Sequence, residues 1–129
     1  MRKVAGSFED IVALEPQHTA LLSALRALAS EMHPDHVEVS RPGDRAVSWG
    51  WGPKKMSEAY MCALPYTGHV NLAFYHGARL PDPNCKLRGT GKAMRHVSVV
   101  DLSELSDSSL RDLIIAAREE RRLALGLAG

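Results

Sequence analysis

Apolar residues along this chain change their spacing twice, and each change marks an element. Leu21, Leu25, Leu28 and Met32 recur at intervals of three and four, which predicts one buried stripe of a helix. Pro16 fits the first turn of that helix. His33-Pro34 ends it, because the residue before a proline is pushed out of the helical region. Ahead of it, Ser7 and Asp10 stand three residues apart in front of Ile11, Val12 and Leu14, a capping-box pattern that predicts a short first helix. The period then falls to two. Val47, Trp49 and Trp51 alternate with Ala46, Ser48 and Gly50, after a turn at Arg41-Pro42-Gly43-Asp44. Glu58 to Leu64 is apolar after its first residue, as in a strand covered on both faces. Pro65-Tyr66-Thr67-Gly68 is a short connection, so the run from His69 to Tyr75 is expected to pair antiparallel with it. Arg95 to Val100 reads as a further strand. A last helix starts near Ser106, with Leu110, Leu113, Ile114 and Ala117 inward and Asp107 placed to pair with Arg111 one turn on.

Helices, then strands with short connections, then a helix specify an α+β fold. The expected arrangement is one domain over residues 1–129, a mainly antiparallel sheet of four to five strands with the N- and C-terminal helices packed on one face. In that arrangement Val70, Leu72, Phe74, Val97 and Val99 share the core face. His69, Asn71, Tyr75, His96 and Ser98 line the opposite one.

Hydrophobic content of 45% and charged content of 24% fit a globular domain and leave no basis for long disorder. No apolar run approaches the ~20 residues of a membrane span. The start, Met1-Arg2-Lys3-Val4-Ala5-Gly6, has no apolar stretch of a secretory leader, so a cytoplasmic location is expected. The formal charge of +1 argues against an extended basic surface for nucleic acid. Cys62 reads as a small buried hydrophobe, and Cys85, beside Lys86, as a free thiol.

Charge is unevenly distributed. From His76 to His96, Arg79, Lys86, Arg88, Lys92 and Arg95 face a single acid, Asp82, while the rest of the chain is slightly acidic. Within this segment Gly89-Thr90-Gly91-Lys92 suggests an anion cradle, since glycines let backbone N–H groups approach an oxyanion. It is not a Walker A loop: Lys86 stands where the first glycine belongs and Ala93 where Ser or Thr belongs. The expected site therefore has Gly89, Thr90 and Gly91 around the anion and Lys92 and Arg95 as countercharge. Arg79 adds a bidentate contact, and His96, His69 and Tyr75 set polarity at the rim. The competing structural reading has Asp82 and Asn84 capping the loop and Arg95 tied to a buried carboxylate. A metal site from His69, His76 and His96 needs convergent geometry and is not expected. No nucleophile elbow, HExxH helix or close carboxylate pair supports catalysis. Arg118-Glu119-Glu120-Arg121-Arg122 reads as a solvated helix face, and Leu123, Leu125 and Leu127 beyond it could dock a second subunit as a homodimer.

The stretch NLAFYHGARLPDPNCKLRGTGKAMRHV, Asn71 to Val97, resembles the signature of the YdhG-like domains. The resemblance rests on an Asn-Leu-x-Phe start, a Gly-Ala-x-Leu-x-Asp-Pro middle and a Gly-Thr-Gly-Lys-x-Met-Arg-His close. Arg41-Pro42-Gly43 and Gly52-Pro53-Lys54-Lys55-Met56 fit it as well. It implies a small α+β domain whose relatives include frataxin-like iron chaperones, so iron enters as an expectation of the resemblance alone. The residues themselves favour a non-enzymatic module for a small anionic ligand or an acidic group of a partner protein.

Overall fold

The computed structural model describes residues 6–128. Five strands, β1 (Val37–Arg41), β2 (Ala46–Gly50), β3 (Ala59–Pro65), β4 (Val70–Phe74) and β5 (Arg95–Val99), form one sheet in chain order. Every neighbouring pair is antiparallel. The helices α1 (Phe8–Val12), α2 (Thr19–Met32) and α3 (Ser108–Leu125) pack on one face, as the α+β reading requires. Phe8 and Ile11, then Leu22 and Leu25, then Leu110 and Ile114 close over Val47, Trp49, Met61, Leu72, Phe74 and Val99. Each of these side chains, once removed from water, contributes roughly 1.5–3 kcal/mol against chain entropy.

Local chemistry explains the boundaries. Ser7 caps α1 with the expected box: its hydroxyl accepts from the Asp10 N–H and the Asp10 carboxylate accepts from its own N–H. Pro16 does not open α2. It begins a 3-10 turn, Pro16–His18, and α2 starts at Thr19, whose hydroxyl donates to the Pro16 carbonyl at 2.6 Å. The α2 stripe also takes in Leu22 and Ala29, so the buried face is broader than the spacing of three and four leucines suggested. Strand β1 lies over Val37–Arg41, where the alternation had not been assigned. Its Val39 pairs with Ser48, on the helix-free face, and its Glu38 with Trp49, on the helix face. There Glu38 accepts from the Trp49 indole at 3.0 Å and from Arg26 at 2.9 Å, which makes a carboxylate acceptable beside the core.

Register shifts once. Met61 opposes Trp49 and Ala59 opposes Gly50, so Tyr60 is an extra residue at a bulge, and both Tyr60 and Met61 turn to the helix side.

Two expectations for the last helix are corrected. Asp107 does not pair with Arg111. It caps α3 by accepting from the Ser109 N–H at 2.9 Å and pairs with Lys86 at 2.7 Å. Arg111 reaches Glu31 and the Leu105 carbonyl instead. The Arg118–Arg122 run is no solvated face either. Arg121 is 8% exposed, held by Glu120 at 2.6 Å and directed at the carbonyls of Met56 and Ser57. Among the described residues no helix is long and apolar enough to cross a membrane.

Candidate functional site

The helix-free face is floored by small side chains. Ala46, Ala59, Cys62 and Ala73 are buried there with Tyr75, and Met56 and Leu64 pack against them. Small residues at successive positions of three central strands leave a hollow that bulkier ones would fill. Two cavities result. One, of about 200 Å³, lies over Ala46, Cys62 and Tyr75, walled by Met56, Leu64 and Met94 and bordered by Asp44 and Lys55. The other, of about 160 Å³, lies over Asn71 and Ala73, with Tyr66, Arg95 and His96 around it. Leu64 and Met94 wall both, so the hollows adjoin.

Pairing of β4 with β5 builds the second hollow as the strand phases demand. Ala73 opposes His96 and Asn71 opposes Ser98, whose hydroxyl donates to the Asn71 amide oxygen at 2.9 Å. His69, in the β3–β4 turn, stacks on Tyr66 with ring centroids 5.1 Å apart. In the first hollow burial pushes the Cys62 thiol up to about 11, the hydrogen bond with Tyr75 only partly opposing it, so at neutral pH it is a protonated, unreactive thiol. Burial and the neighbouring Cys62 likewise raise the Tyr75 phenol, which stays protonated.

The basic segment is a folded loop laid along the outer edge of β5. The backbones of Arg88 and His96 exchange two hydrogen bonds of 2.8 and 2.9 Å, which closes the excursion between them and covers that edge. Gly89 turns it at φ +122°, a conformation side chains with a Cβ rarely adopt. The Asp82 carboxylate accepts from the N–H groups of Lys86 and Leu87 at 2.8 and 2.9 Å, so Asp82 does cap the loop. Asn84 instead reaches across to the Ser109 hydroxyl. Arg95 is not tied to a carboxylate among the described residues. Its guanidinium donates to the carbonyls of Gly91 and Met94 at 2.6 and 2.7 Å and staples the loop, with no acid among the described residues paired to it.

The expected site residues therefore divide. Tyr75, Arg95 and His96 line the hollows, and His69 backs the Tyr66 ring at their margin. Gly89, Thr90, Gly91 and Lys92 are exposed on the loop that ends at Met94. Arg79 turns away to α3, 3.5 Å from Glu120. Sequence reasoning missed Leu64, Tyr66, Met94 and Lys55 as wall residues. A legible sign was the run of Ala, Ser and Cys at the positions of β2 to β4 that alternate with the core.

No group of three or more His, Cys, Asp or Glu among the described residues is placed to hold a metal ion. His76 bonds to the Met56 carbonyl through its ring. The molecule is an α+β meander whose sheet packs its helices on one face and leaves the other face without them. Comparison with protein-family models, with curated proteins and with solved structures finds no match.

Proposed function

We propose that this protein is a non-catalytic binding module of the YdhG-like type, and that it holds a small amphipathic anion on the helix-free face of its sheet. The adjoining hollows carry this reading: their floor is apolar, and one end is ringed by Arg95, His96 and Tyr66. The anionic head sits against the Arg95 guanidinium and the His96 ring, with Lys92 supplying countercharge from the loop. The apolar body runs past Leu64 and Met94 towards Cys62 and Tyr75. A mostly apolar hollow with a few fixed polar groups is the usual form of a small-molecule site.

Titration with octanoate, octyl phosphate and octanol, followed by heteronuclear NMR, tests the proposal. The two anions are expected to shift the amides of Ala73, Met94 and His96 saturably, and octanol to bind at least about tenfold more weakly, the worth of one charge-assisted contact. Lys92→Gln lies on an exposed loop, folds normally and weakens both anions. Equal binding of octanol, or shifts confined to α3, would overturn the assignment.

A further inference from the structure

A further cavity, of about 380 Å³, lies between the end of α2 and the last turns of α3. His33, Asp35, Trp51, Arg118, Glu119 and Arg122 border it. The functional reading above makes no use of it.

His33 is its distinguishing member. The ring is 5% exposed, lies 4.2 Å from the Trp51 indole centroid to centroid, and has Nδ1 2.9 Å from the Tyr60 hydroxyl. Tyr60 is 1% exposed, and His33 is the one partner of its hydroxyl among the described residues. A buried phenol proton needs an acceptor, so Tyr60 donates and Nδ1 accepts. A neutral imidazole then carries its proton on Nε2. Nε2 has no partner among the described residues, yet no side-chain nitrogen or oxygen among them is both buried and unpartnered. Nε2 is therefore not fully buried, and its ring is part of the cavity lining. Burial and the nearby Arg118 hold the ring below its ordinary pKa, which keeps it in this neutral form at pH 7.

The two arginines add donors beside it. Arg118 spends one terminal nitrogen on the Met32 carbonyl at 2.6 Å, and Arg122 spends one on the Leu127 carbonyl at 3.0 Å. In each, the other terminal nitrogen has no partner among the described residues. Glu119 is engaged by Arg122 at 2.9 Å and lies 3.7 Å from Arg118, so it holds the pair in place without exhausting it. Trp51 is fixed in turn, its indole N–H donating to the Arg118 carbonyl at 2.9 Å. Three donors without a partner among the described residues, two of them cationic, belong to side chains that line one hollow with an indole wall.

We infer that this cavity is a binding site for a small organic carboxylate, held by Arg118 and Arg122 with His33 Nε2–H as a third donor and Trp51 against its apolar body. A planar carboxylate matches the guanidinium fork in a way a spherical anion does not. The groups that face the ring, Asp35, His36, Arg118, Glu119 and Arg122, balance one another in charge when His36 is neutral. A bound monoanion therefore tips the local field towards a positive imidazole.

Titration of the full chain with sodium benzoate, read by NMR of the imidazole Cε1–H groups and the indole N–H groups, tests the inference. Benzoate is expected to shift His33 and Trp51 saturably, to leave the buried Trp49 unmoved, and to raise the pKa of His33, whatever it does at His96 on the sheet face. Arg122→Gln, at a half-buried helix-end position, is expected to fold as the parent does and to bind about tenfold more weakly, the loss of one charge-assisted contact. No saturable shift up to 50 mM, unchanged affinity in Arg122→Gln, or an equal response to inorganic phosphate would each overturn the carboxylate site. Because octanoate binding on the sheet face is read at Ala73 and His96, the two proposals fail separately.

Discussion

Gly77 and Gly91 bracket the basic loop, and they are required for opposite reasons. A Cβ on Gly77 would stand 2.5 Å from the Arg95 Cβ and 2.8 Å from its backbone nitrogen, so the loop could not lie against β5 without moving it. At Gly91 a Cβ would meet nothing within 4 Å. Gly77→Ala is therefore expected to destabilise the fold by about 1–3 kcal/mol, the usual cost of overpacking. Gly91→Ala is expected to be neutral or to stabilise by about 0.4–1 kcal/mol through the unfolded chain. Urea unfolding of the two variants checks the sign as well as the size. In the sequence Gly91 read as part of an anion cradle and Gly77 only as the start of a motif, because what a missing side chain avoids is a neighbour that folding alone brings up. Arg95 gives the same lesson: its charge was legible, but its partners, two carbonyls of its own loop, were not.

Periodicity located the helices and four of the five strands, and it failed where polar residues found partners inside. Strand β1 presents Glu38 to the helix side because Trp49 and Arg26 satisfy it there, so its valines fall on the open face. The start of α3 shows a related shift, from a side-chain pair within the helix to a cap. Asp107 both caps α3 and holds Lys86, and these hydrogen bonds lower its pKa, the Lys86 contact most. A depressed carboxylate contributes stability that is present above its unfolded pKa and lost as pH falls through its folded one. Asp107→Asn keeps an acceptor for the Ser109 N–H and loses only the charge. Asp107→Ala is thus expected to lower Tm more than Asp107→Asn, and both to flatten the acid side of the Tm-against-pH curve below about pH 4. Differential scanning calorimetry from pH 3 to 7 checks the order.

His33 couples three parts of the molecule: the end of α2, Tyr60 on β3 and, through Trp51, the backbone of α3. Its pKa is lowered, first by burial and then by Arg118 and His36, from the ordinary value of 6.5. The unfolded chain consequently takes up a proton near pH 6.5 that the folded chain refuses until lower pH. Stability is expected to be level above that point and to fall as the pH drops below it, with a smaller fall in His33→Gln. Chemical denaturation at pH 7.5 and 5.5 measures the difference, and equal losses in the two proteins would contradict it. The sequence by itself determined the α+β class, the helix stripes, the antiparallel pairing of β3 with β4, and which residues of β4 and β5 share a face. These follow from neighbours close along the chain and from the fixed periods of helix and strand. Tertiary structure alone decided that Arg79 leaves the loop for Glu120, that Tyr75 and His96 border adjoining hollows, and that His33 meets Tyr60, Trp51 and Arg118. His33 and Tyr60 are 27 positions apart and Arg79 and Glu120 are 41, and no local period records a distance of that kind.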